Sequence, residues 1–174
     1  MRKTKKLTLS AIMTALGVVA LSLGSALEIL DFTVCLFASI IMLFIFIEIG
    51  APFTYLVWIA TSLLTYIFFP GSAVWLNYFL AFGLYPILKA YIERLPRVFW
   101  IFAKLVFVNI IIWIMIFTYE FLFGIPLFAI DKMWIKAALY LAINVGFVAY
   151  DVFLTLAVRL YVSKYRAKFA RFLK

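Results

Sequence analysis

Six polar side chains stand within or at the edge of long apolar stretches: Glu48, Lys104, Asn109, Glu120, Asn144 and Asp151. An ionised group in hydrocarbon is costly, and it persists where it has a partner or serves a pathway. Lys104 lies about two turns into one apolar run, and Asp151 about two turns from the end of a later, antiparallel run. Their depths match, so a Lys104–Asp151 ion pair is expected, with Glu48 placed to join it. Such a pair either fixes helix packing or forms part of a proton or ion path. Asn109 and Asn144 also share a depth. An amide in lipid needs a partner, and interhelical hydrogen bonds contribute about 0.6–2 kcal/mol each. Asn144 has a second option, facing a ligand cavity.

A second group gathers where three apolar runs end: Trp75, Asn77, Tyr78, Tyr119, Glu120, Trp134, Lys136 and Tyr140. Aromatic walls with a few polar groups make a small-molecule pocket. The same residues also fit an interfacial aromatic belt. Glu120 is the most specific member, a carboxylate able to meet an amine or a hydroxyl.

Catalytic chemistry finds no footing. The chain has no His and one Cys, Cys35, so neither an internal disulfide nor a Cys/His metal cluster can form. Ser10, Ser22, Ser25, Ser39, Ser62 and Ser72 have no His to activate them and lie in no nucleophile-elbow pattern. The acids are scattered singly, without metal-ligand spacing, and there is no phosphate-binding Gly-rich loop. No enzyme activity, metal or cofactor is expected.

The elements that position these residues follow from composition. The 174 residues are 69% hydrophobic and 13% charged. Soluble domains carry about 45–50% apolar and about 25% charged residues, so the solvent here is lipid. Turn and charge clusters cut the chain into six runs, roughly 7–27, 33–49, 53–69, 74–92, 98–122 and 134–160. The absence of period-two polar alternation makes them helices. A span needs about 20 such residues. The basic start followed by Leu7–Leu27 reads as the first span rather than a cleaved leader. Gly50 and Pro52 predict a tight hairpin between the second and third runs. Gly83 and Pro86 predict a kink in the fourth.

The net charge of +9 is then a matter of position. With the N-terminus inside, Arg2, Lys3, Lys5, Lys6, Lys89, Arg94, Arg97, Arg159, Lys164, Arg166, Lys168, Arg171 and Lys174 are cytoplasmic. Lys132 and Lys136 are outside and Lys104 is in a span. This bias predicts a multi-pass protein of the cell membrane with both termini cytoplasmic and argues against nucleic-acid binding. Residues 1–163 form one expected six-helix domain. Residues 164–174, five basic residues among Tyr165, Phe169 and Phe172, form an amphipathic tail suited to anionic lipids. The first run carries a small-residue stripe, Ala11, Ala15, Ser22 and Ala26 with Gly17 and Gly24. It serves either packing within the bundle or docking to a separate membrane subunit.

The layout resembles the substrate-binding S component of energy-coupling-factor (ECF) transporters. The resemblance rests on Lys5-Lys6-Leu7-Thr8-Leu9-Ser10-Ala11 leading into Ala11-xxx-Ala15, on six spans with both ends inside, and on the Glu48-Ile49-Gly50 turn between helices two and three. It implies that Ala11 and Ala15 contact a transmembrane coupling subunit driven by two cytoplasmic ATPase subunits. It also implies an outward-facing site for a small, vitamin-like nutrient, formed by the Glu28–Asp31 loop and by Trp75, Asn77, Tyr78, Glu120, Trp134, Tyr140 and Asn144. The same fold is shared by non-transport proteins such as the rod-shape protein MreD, so a ligand-free scaffold is the alternative expectation.

Overall fold

The structure, a computed structural model, describes residues 3–27, 30–124 and 132–166. Glu28 of the first expected outer loop, the 125–131 segment and the basic tail beyond Arg166 lie outside the described residues. The described elements are helical, with no strand among them: α1 (Lys3–Leu27), α2 (Asp31–Glu48), α3 (Ala51–Phe68), α4 (Val74–Asn77), a π-helical segment Tyr78–Phe82, α5 (Leu84–Ile92), α6 (Arg97–Phe123) and α7 (Met133–Leu160), which continues as a π-helical segment, Tyr161–Tyr165. Five helices are long and apolar enough to cross a membrane: α1, α2, α3, α6 and the continuous Met133–Tyr165 helix. The described residues are thus all-helical, and the length and apolar composition of these five helices suit a membrane protein.

Local chemistry sets the breaks. α2 ends at Glu48, Gly50 takes φ 101°, and Pro52 stands in the first turn of α3. Glycine adopts positive φ without strain, and proline at a helix start forfeits no hydrogen bond. Pro96 caps the start of α6, and Gly124 ends it at φ 63°.

The break in the fourth run is more elaborate. Gly83 N–H bonds Tyr78 O at 2.7 Å, one residue further back than an α-helix allows. That frees Phe79 O, which accepts from Trp58 Nε1 at 3.1 Å. Pro86 has no N–H to give Phe82 O, which accepts instead from Ser39 Oγ at 2.7 Å. Side chains of α2 and α3 thus take up the carbonyls that the distorted helix releases.

The described fold forms two compact units. The first holds the residues up to Ala90 together with those from Ala157; the second is Tyr91–Leu156. In the first, Leu21, Ala38, Met42, Ile45, Val57, Tyr78 and Ile87 belong to one buried cluster. Close approach depends on α1 glycines: a Cβ on Gly17 would stand 3.1 Å from Thr61 Cγ2, and one on Gly24 only 2.3 Å from Val34 Cγ2. In the second unit, Val108, Ile111, Ile112 and Leu154 are buried, and most of the remaining apolar surface of α6 and α7 is exposed. Many hydroxyls bond the carbonyl four residues back in their own helix, among them Thr14 to Ser10, Thr54 to Gly50, Ser62 to Trp58, Thr65 to Thr61, Thr118 to Ile114 and Thr155 to Asp151.

Candidate functional site

In the second unit, Lys104 Nζ lies 2.7 Å from Asp151 Oδ2 and 3.1 Å from Glu93 Oε1. The structure brings Lys104 and Asp151 together. The further acid is Glu93, however, and not Glu48. Glu93 stands in the turn before α6, eleven residues from Lys104, within reach of the flexible lysine stem. The lysine is also 5.7 Å from the centre of the Trp100 ring, one turn earlier on α6. The two carboxylates thus share the one ammonium of Lys104.

The amides of this unit divide their bonds. Tyr140 OH donates to Asn109 Oδ1, joining α7 to α6. Asn109 Nδ2 donates to Leu105 O (2.7 Å) and Asn144 Nδ2 to Tyr140 O (2.9 Å), each within its own helix. Glu120 and Trp134 are exposed near the ends of α6 and α7 that flank residues 125–131.

The other expected binding residues belong to the first unit. Tyr78, 1% exposed, and Asn77 are buried there. Trp75 packs edge-on to Tyr66 of α3 at 4.8 Å, and its indole Nε1 is buried without a hydrogen-bond partner. Among the described residues four more buried side-chain atoms lack one, Ser10 Oγ, Thr61 Oγ1, Ser25 Oγ and Asp31 Oδ1, and the last two lie toward the same end of the unit as Trp75. Ser25 closes α1 beside the Gly24–Val34 contact. Asp31 opens α2 one turn before Cys35, whose thiol lies 3.9 Å from Val74 O at the start of α4. Asp31 belongs to the expected Glu28–Asp31 outer loop, whereas Ser25 escapes a reading by sequence because it stands inside the apolar run of α1.

At the opposite end, Glu48 Oε1 accepts from Tyr161 OH at 3.0 Å and lies 3.8 Å from Arg166 Nε. Phe44 packs edge-on to Tyr161 at 5.4 Å. Lys89 of α5 is 2% exposed, a buried cation that its place among the expected cytoplasmic charges does not reveal.

The small residues of α1 separate by face. Ser10, Gly17, Gly24 and Ser25 are buried, whereas Ala11, Ala15 and Ala26 are exposed. No family model, curated protein or solved structure matches this chain.

Proposed function

We propose that this chain is the substrate-capturing membrane subunit of an ECF-type importer, crossing the bilayer six times with both termini in the cytoplasm. It takes up a small, vitamin-like nutrient at the outer face and delivers it inward when docked to a coupling subunit and its ATPases. The carrying observation is the trio of buried, unpartnered polar atoms on Ser25, Asp31 and Trp75. Each such atom costs about 1–3 kcal/mol if left unpaired, and the three gather at the end of the first unit away from Lys5, Lys6 and Arg166. A ligand with an N–H or O–H for Asp31 and an acceptor for the indole would satisfy them. The exposed Ala11 and Ala15 supply a smooth face for close helix–helix docking.

The test is purification from native membranes under mild conditions, followed by mass spectrometry of bound metabolites and co-purifying subunits. A retained metabolite whose occupancy falls in Asp31→Asn and Trp75→Phe, together with ATPase partners, is the expected result. The same assay on Glu120→Gln, Asn144→Ala, Tyr140→Phe and Trp134→Phe tests the second unit's candidates.

One observation favours a ligand-free scaffold: Asn77 and Tyr78 are packed into the core of the first unit. A folded, native sample with neither metabolite nor ATPase would decide for that reading.

A further inference from the structure

The first unit carries an apolar groove of about 300 Å³ whose lining includes Met13 and Leu16 of α1, Ile40, Phe44 and Ile47 of α2, and Tyr161. Almost nothing polar faces it. Its α2 wall runs from Ile40 to Ile47, about 10 Å at 1.5 Å per residue, and stops one residue short of Glu48. Half the hydrocarbon thickness of a bilayer is about 15 Å. The groove therefore has the reach and chemistry for the upper part of one acyl chain.

What stands at its mouth selects the head group. Arg166 is 54% exposed; its Nε faces Glu48, and the remaining guanidinium donors are on the terminal nitrogens. Arg159 and Lys164 are exposed on the same helical stretch, and the first turn of α1 adds exposed Lys3 and Lys5. Lys6, 6.0 Å from the Phe53 ring, places that turn beside the start of α3. Against these cations stands Glu48, so this end of the unit is strongly positive.

We infer that the groove between α1, α2 and the end of α7 is a site for one anionic phospholipid, its acyl chain along Phe44 and Ile47 and its phosphate at Arg166. The site is distinct from the docking face. At about 100° per residue, Leu16 and Met13 lie about 100° or more around α1 from Ala11 and Ala15.

Native mass spectrometry of the full-length, delipidated protein tests this. The protein is offered equimolar phosphatidylglycerol and phosphatidylcholine with identical chains. One retained phosphatidylglycerol per protein is expected, favoured over phosphatidylcholine. Arg166→Gln, and separately Lys164→Gln, should lower that preference about fivefold per charge removed. Ile40→Trp, which fills the groove at a half-exposed position, should lose both lipids while circular dichroism stays unchanged. Equal retention of the two lipids overturns the inference, as does an unchanged adduct in folded Ile40→Trp. A doubled mass that Ile40→Trp returns to single overturns it too, by placing a second copy in the groove. Should Ile40→Trp not fold, the charge variants decide alone: an unchanged preference in both overturns the inference.

Discussion

Lys104 serves two carboxylates, and that fixes the order in which truncations hurt. Lys104→Met removes the ammonium that Glu93 and Asp151 share and should cost about 3–5 kcal/mol, whereas Asp151→Asn leaves the Lys104–Glu93 pair intact and should cost less. The double variant should be milder than the sum of the two, with a coupling of about 1–3 kcal/mol in a denaturation cycle; simple additivity would refute the pairing. The Lys104–Asp151 half of this cluster is legible in the sequence because depth along two antiparallel helices can be counted. Glu93 is not, because its reach depends on how the Pro96 turn folds back. Glu48 likewise finds Tyr161 across 113 residues, a distance no spacing rule covers. At the other end of the first unit, Trp75→Phe removes a buried N–H that has no partner. It should leave stability unchanged or raise it in the ligand-free protein, measured by thermal unfolding, while weakening retention of the proposed nutrient. A large loss of stability would mean that the indole N–H has a partner after all.

Among the elements, α1 is where packing tolerances are tightest. Gly24→Ala places a methyl 2.3 Å from Val34 Cγ2. Overpacking of this kind costs about 1–3 kcal/mol, and Val34→Ala should recover most of it by making room; failure to recover would put the clash elsewhere. The fourth run offers a second test. Ser39→Ala removes the hydroxyl that donates to the part-buried Phe82 O, so a loss of about 1–3 kcal/mol is expected in the unfolding free energy. Pro86 and Gly83 announce a kink in that run through their own chemistry. They do not announce its π-helical form, which depends on Trp58 and Ser39 arriving from two other helices with the right donors. The helix ends, by contrast, are set by neighbours within a few residues, such as Gly50, Pro52, Pro96 and Gly124, and are readable for that reason.

For the whole molecule, the division of charge predicts topology. Single cysteines introduced after Lys174 and within 125–131, in a Cys35→Ser background, should be labelled by impermeant reagent from opposite sides of the membrane. Labelling from the same side would refute the positive-inside reading. Docking is tested separately: Ala11→Trp and Ala15→Trp should abolish recovery of partner subunits and spare ligand binding, since both residues are exposed; loss of both would place them inside the bundle. The hydroxyls that bond their own helix, such as Thr54 to Gly50 and Thr155 to Asp151, bear on biogenesis. A helix whose polar side chains are satisfied internally can enter lipid by itself, with no neighbour yet present. Ser10, Ser25 and Thr61 have no such internal bond, and Lys104 finds its acids on a turn and on a different helix. The chain therefore carries two classes of polar residue: those that permit a segment to leave the translocation machinery early, and those that reward its waiting for a companion.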